Sequence, residues 1–248
     1  METEIFIKGN YRFIRGPFQY SGGVSAEPGY CIERTKFRKP LPINIGFKSI
    51  ADYLIGIGRP LTALCACELR SPAPFTEKGF NDFNRNYVET LASWEILHND
   101  ENPVARSNVC PEVDPPLEPC FEAFSYTVPD VKNKTNFVIS GSAEAPEGFG
   151  GYGERIIRLG DQSENAMHEK AQYVLSVMES RMAALEKKWS DATVTQSYTV
   201  YNLYPFLADE IISRGAAKSG LTWHYARPPV EGLDFEMDVR GVSTEKVI

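Results

Sequence analysis

The 248-residue chain has little of what announces many common activities. Its three histidines, His98, His168 and His224, are scattered and show no metal-ligand spacing, so no metal site is expected. Its five cysteines, Cys31, Cys65, Cys67, Cys110 and Cys120, are odd in number and include no C-x-x-C, which argues against a disulfide framework. Cys65 and Cys67 stand two apart in "LCACEL", a strand-like stretch expected to set both on one face as small core residues. No apolar run approaches the roughly 20 residues that cross a bilayer. The opening "METEIFIKGNYRF" lacks a basic segment followed by an apolar one, so the expectation is no secretory signal, no membrane partner and a cytoplasmic protein. Basic residues are outnumbered, 26 against 33, for a net charge of −7, which argues against nucleic acid as a partner. The glycines of "SGG" and "GGYG" do not form a dinucleotide or phosphate-binding loop, so no nucleotide cofactor is called for.

What the chain does carry is an internal repeat. "FQYSGGVSAEPGYCIERTKF" (Phe18 to Phe37) parallels "FVISGSAEAPEGFGGYGERIIRL" (Phe137 to Leu159). That match sets Ser21-Gly22 against Ser140-Gly141 and Glu33-Arg34 against Glu154-Arg155. "DPPLEPCFEAFSYTV" (Asp114 to Val128) parallels "RPPVEGLDFEMDVRGV" (Arg227 to Val242), which sets Phe121-Glu122 against Phe235-Glu236. The offsets drift by only a few residues, as two diverged copies with loop insertions should. The expected units are residues 1–130 and 131–248, joined in the polar stretch "VPDVKNKT" from Val128.

Each unit reads as β-β-α-β-α-β-β, an α/β (α+β) sandwich with helices on one face of a sheet. In the second unit, "TNFVIS" reads as a strand ending in a Ser-Gly turn and "YGERIIRL" as another strand. A long helix follows. Asp161 is its candidate N-cap, with Glu164 three residues on. Met167, Ala171, Val174, Met178, Met182, Leu185 and Trp189 form its apolar stripe. "ATVTQSYTVYNL" reads as a strand, and "YPFLADEIISRG" as a shorter helix ended by Gly215. The first unit matches more loosely, with helices in "PINIGFKSIADYLIGIG" and "EKGFNDFNRNYVETLASWEIL" around the strand "LTALCACELR".

The Ser-Gly strand ends, the long helix, "PVARS" (Pro103 to Ser107) and the acidic closing strand "FEAF" (Phe121 to Phe124) together resemble the RidA/YjgF family. The resemblance spans nearly the whole chain as two chorismate-mutase-like units. It implies cofactor-independent hydrolysis of a reactive enamine or imine acid, with active sites between neighbouring units of a trimer-like homo-oligomeric assembly. Arg106 then binds the substrate carboxylate, with Ser107 beside it. Ser21-Gly22 and Ser140-Gly141 line the pocket from across the interface, and Glu122 or Glu236 positions the water. In the second copy the position of Arg106 falls on Ser219 or Gly220, so each chain carries one anchor. Asn108 stands where many family members have a cysteine, so no reactive thiol is expected.

Arginine suits such an anchor because its charge is permanent and its planar fork matches a carboxylate. An enamine needs a proton on carbon and then attack by water, and one carboxyl group can serve both steps. The doubled unit suggests a substrate larger than a simple amino-acid imine. Within the resemblance, deamination of 2-aminomuconate or a chlorinated relative fits, an enamine with two carboxylates. Arg34 or Arg155, from the repeated Glu-Arg pair, is the candidate for the second carboxylate. Phe18, Phe149 and Tyr152 are candidates to cover the conjugated chain. Two other readings stay open. One is a chorismatase-like hydrolase; the other is a non-catalytic protein that binds small carboxylates.

Overall fold

A computed structural model describes residues 1–97, 101–130, 136–146, 148 and 150–248. His98, Phe149 and most of the expected join lie outside the described residues. The chain opens on a hairpin absent from the expected element order. It consists of β1 (Thr3–Phe6) and β2 (Tyr11–Ile14), turned through Asn10 at φ 61°. The first half continues with β3 (Gly23–Ala26), β4 (Tyr30–Pro42), α1 (Ile43–Gly56), β5 (Leu64–Arg70), α2 (Glu77–Ser93), β6 (Ala105–Pro111) and β7 (Cys120–Pro129). The second half holds β8 (Phe137–Ala143), the single turn α3 (Tyr152–Arg155), α4 (Glu164–Ala184) and β9 (Val194–Tyr198). It ends with α5 (Tyr204–Phe206), a π-helical turn over Leu207–Ile212, β10 (Leu221–His224), β11 (Ala226–Arg227), β12 (Glu236–Gly241) and β13 (Thr244–Val247).

The result is a mixed α+β fold with two sheets and few helices. One sheet runs β1-β2-β3-β8-β12-β9-β10 and the other β11-β6-β5-β7-β4-β13. Both contain the same four-strand order, β4-β7-β5-β6 in one and β8-β12-β9-β10 in the other. In each the final pair is parallel and the rest antiparallel. The halves also exchange strands. β1 to β3 extend the second-half sheet through the β3–β8 ladder, while β11 and β13 flank the first-half sheet.

This topology corrects the first of the two sequence matches. Ser21-Gly22 and Ser140-Gly141 are not equivalent positions in two sheets. They are neighbours, since β3 pairs with β8 and the Ser140 hydroxyl donates to the Ser21 carbonyl at 2.6 Å. Glu33-Arg34 lies on β4 whereas Glu154-Arg155 lies on α3, so "YGERIIRL" is not a strand. The second match agrees with the topology, because Glu122 and Glu236 lie on corresponding strands, β7 and β12. The Ser140-Gly141 pair is not a turn either; β8 runs on to Ala143.

One face of each sheet is covered by helices. Phe47, Ile50 and Leu54 of α1 and Tyr87, Val88 and Leu91 of α2 pack on Leu64, Cys67, Leu69, Phe121 and Phe124. The stripe of α4 packs on Phe137, Ile139, Met237 and Val239. Each fully buried side chain of this size contributes about 1.5–3 kcal/mol. The cap of α4 is Ser163, whose hydroxyl accepts from Ala166 N. Asp161 is turned to Arg158 and accepts from Ser163 N, so the helix starts two residues later than expected. Cys65 and Cys67 do not share a face. β5 carries one residue more than β7 at Cys65, a bulge that sends Cys65 into the cluster between the sheets and Cys67 under the helices. Among the described residues no helix is long and apolar enough to cross a membrane.

Candidate active site

The two sheets meet where β6 passes β8, and the two Ser-Gly segments form the seam. Ser21 N donates to Val104 O, and the Ser140 hydroxyl accepts from Arg106 N at 3.0 Å. β8 has one more residue than β12 between Ser142 and Ile139, so Ser140-Gly141 is a bulge. Bulges of this kind re-aim side chains beside functional sites. Here the bulge turns the serine hydroxyl toward β6 and leaves the glycine beneath the Glu236 carboxyl. A Cβ at Gly141 would collide with Glu236 Oε1 and come within 3.3 Å of Ser107 Cα.

A cavity of about 370 Å³ opens at this seam. Alternation along β6 decides what enters it: Arg106 and Asn108 face the cavity, while Ser107 points the other way and donates to Asp238 at 2.7 Å. The loop before β3 adds Gln19 and Tyr20, and α2 adds Glu77, Phe80 and Asn81. α3 adds Tyr152 and Arg155, α4 adds Arg181, and β12 adds Glu236. An apolar side is made by Ala143, Ala145, Val230 and Leu233.

Arg106 is 3 % exposed, and neither terminal nitrogen has a hydrogen-bond acceptor among the described residues. Its guanidinium carbon lies 4.9 Å from the ring centres of Tyr20 and Tyr87, 5.7 Å from Phe80 and 5.8 Å from Phe83. Rings stabilise a cation but cannot replace hydrogen-bond acceptors. A buried fork with two unused donors is therefore built to receive a planar anion from the cavity. Asn108 accepts from the Ser71 hydroxyl, and its amide nitrogen likewise has no acceptor among the described residues.

Glu236 faces these donors. Burial pushes its carboxyl well above the usual range; Asp238 and Glu144 add to the shift, and Arg106 and Arg70 offset part of it. The shift favours its neutral form, the form that can give up a proton. Arg155 places its Nη1 on the Pro146 carbonyl at 2.7 Å and lies over the Tyr152 ring, and its buried Nε has no acceptor among the described residues. Arg181 holds the carbonyls of Ser140 and Gly141 at 3.1 and 3.4 Å.

Of the expected site residues, the structure brings Arg106, Gly141, Arg155, Glu236 and Tyr152 to one cavity, with Ser21, Gly22 and Ser140 in the seam behind it. Arg34 is elsewhere, locked to Glu68 through two hydrogen bonds of 2.6 and 2.8 Å. Glu122 lies outside the cavity in an ion pair with Lys36 at 2.8 Å. Phe18 does not line it and instead sits against Arg85. Ser219 and Gly220 fall just before β10, the strand that corresponds to β6, and β10 itself has no arginine. The sequence reading did not single out Tyr20 or Arg181. Arg181 left a signal, a cation set between Met178 and Met182 on the apolar stripe of α4.

The sequence model of a family described as "2-aminomuconate deaminase CnbZ" matches residues 3–246. A 2-amino-5-chloromuconate deaminase of Comamonas testosteroni is 46% identical over 249 residues, covering 100% of this chain and 99% of that protein. Among solved structures, a chorismatase superposes with a TM-score of 0.49 at 11% identity, over 92% of this chain and 79% of that one. A cyanuric acid hydrolase from A. caulinodans superposes with a TM-score of 0.40 at 11% identity, over 86% of this chain and 67% of that one.

Proposed function

The chain belongs to the 2-aminomuconate deaminase family, and from that premise we propose that it hydrolyses 2-aminomuconate or its 5-chloro analogue to the corresponding keto acid and ammonia, without a cofactor. The observation that carries this reading is the pairing of Arg106, a buried fork with two unused donors, with the buried carboxyl of Glu236 in one cavity. Charge supports it as well. Among the described residues three guanidinium groups line the cavity against two carboxyls, and burial favours the neutral form of one of those, Glu236. Such a cavity suits a dianion. Arg106 takes the carboxylate next to the amino-bearing carbon, and Arg155 takes the distal one. The conjugated chain lies against Tyr152 and the apolar side formed by Val230 and Leu233.

The chemistry then runs through one carboxyl group. Glu236 gives its proton to the enamine carbon, which leaves an iminium and the Glu236 carboxylate. Water adds to the iminium carbon and its proton returns to Glu236, forming a carbinolamine. Glu236 protonates the departing nitrogen. As ammonia leaves, the remaining hydroxyl proton goes back to Glu236, and the keto acid is formed with the residue restored. A positioned acid–base group contributes about 10²–10⁴-fold to such steps. The shared four-strand order supports a reading of the two sheets as diverged RidA-like units, and the solution mass would show whether chains assemble further.

The test uses purified protein and freshly generated 2-aminomuconate, following loss of its near-ultraviolet absorbance together with ammonia release. Acceleration over buffer is expected, and Glu236→Gln should lose about 10²–10⁴-fold in kcat while still binding substrate. A wild-type protein no faster than buffer, or a Glu236→Gln variant with full kcat, would sink the assignment.

A further inference from the structure

The chain enters β12 through Asp234 and Phe235, and one side chain holds the backbone N–H groups of both. Glu144 accepts from Asp234 N at 2.6 Å with Oε1 and from Phe235 N at 3.0 Å with Oε2. Glu144 directly follows Ala143, the residue paired with Glu236 across the β8–β12 ladder. The clamp therefore closes the rung beside the reacting carboxyl. Glu144 is fully buried, and so is its countercharge Lys170 on α4, whose ammonium lies 3.7 Å from Glu144 Oε1 and is ion-paired with Asp234. A buried ionic cluster adds little net stability, because desolvation offsets the Coulomb gain. Its presence at this rung calls for another reason.

We propose that Glu144 is a positioning residue for Glu236: its carboxylate clamps the strand entry that carries Glu236 and sets a negative charge beside it. The proposal rests on the assignment of Glu236 as the acid–base group. Lys170 from α4 and Asp234 from the strand entry face Glu144. Asp238 on the same strand, Arg106 from β6 and Arg70 from β5 act on Glu236 along with Glu144. Burial pushes the Glu144 carboxyl up to about 7, against the pull of the two N–H groups and Lys170. The clamp is thus poised to release as pH falls through neutrality, while its charge opposes loss of the Glu236 proton above it.

Two variants separate charge from clamp. Glu144→Gln keeps the size and removes the charge, so the alkaline limb of kcat/KM, where Glu236 loses its proton, moves about one unit toward acid. Glu144→Asp keeps the charge but is too short to reach both N–H groups. The limb should stay in place while kcat falls about tenfold or more, as small misplacements of a reacting group do. KM should change little in either. An unmoved limb in Glu144→Gln overturns the proposal, since a purely structural role lowers activity without shifting it. A third measurement needs no variant. Amide exchange in the unmodified protein should show Asp234 and Phe235 losing protection below about pH 7 while Met237 keeps it. Uniform pH dependence across the three amides overturns the clamp. If the unmodified protein deaminates nothing, the function assignment falls, and the exchange pattern still decides the clamp.

Discussion

Replacing Arg106 with methionine should separate binding from folding. The guanidinium is buried among four rings, its two terminal nitrogens have no acceptor among the described residues, and it lines the cavity. A substrate carboxylate would make two charge-assisted hydrogen bonds there, each worth about 1.5–3 kcal/mol. Truncated buried charge pairs of this kind cost about 2–5 kcal/mol, which converts to a loss of affinity between roughly 30-fold and several thousand-fold. The effect on folding should run the other way. An unpaired buried cation is expensive, and a methionine of similar length packs well against rings. The thermal midpoint of the ligand-free variant should be unchanged or higher than that of the parent. The assay is steady-state deamination of 2-aminomuconate paired with thermal denaturation. An unchanged KM would refute the reasoning. So would a midpoint many degrees lower with binding intact, because that would make Arg106 a support of the fold. Arg106→Lys keeps the charge without the fork, and should fall between the two.

Gly141→Ala introduces a methyl group where the Glu236 carboxyl lies. Displacing a reacting group by an ångström costs about 10²-fold in rate, so kcat should drop steeply with KM little changed; a fully active variant would contradict the placement of Glu236. Arg155→Gln should raise KM for the dicarboxylate about ten- to a hundredfold and leave a monocarboxylate analogue unaffected, which a comparison of the two substrates reads directly. Stability should also follow pH. Glu144 and Glu236 have carboxyls raised above their ordinary value of 4.5, so the folded state holds their protons more tightly than the unfolded state. Their contribution is complete below that ordinary value; the Glu144 part fades as pH rises through about 7, and the Glu236 part as pH rises through its own raised value. The thermal midpoint should fall between pH of about 5 and 8, and Glu144→Gln should flatten part of that slope. Glu68, held low by its Arg34 partner despite burial, acts in the opposite sense only on the acid side.

Part of the candidate site was legible because several residues that the structure gathers at one cavity sit in short-range patterns. "PVARS" marked Arg106 without any knowledge of its neighbours, and that Asn108 shares its face came only with the strand Ala105–Pro111. Glu236 was marked by its place in the closing acidic strand, and the stripe of α4 by its helical spacing. The matched Ser-Gly pairs were also real signals, but their meaning was misassigned. They looked like equivalent parts of two copies and are instead two sides of one seam, because β1 to β3 cross into the other sheet. A similar chain pattern cannot distinguish a repeated position from a paired one.

The choice between the candidates was tertiary. Arg34 and Arg155 follow glutamate in sequence alike, yet Glu68 on the neighbouring strand occupies the first and the cavity leaves the second available. Glu122 and Glu236 occupy corresponding strands, yet only Glu236 meets the bulge at Ser140-Gly141 that makes room for its carboxyl. Local periodicity determined which residues line up along each strand and helix. Which of them share a dry cavity depended on strand exchange and a single extra residue in β8, since burial and charge pairing arise between segments far apart in the chain.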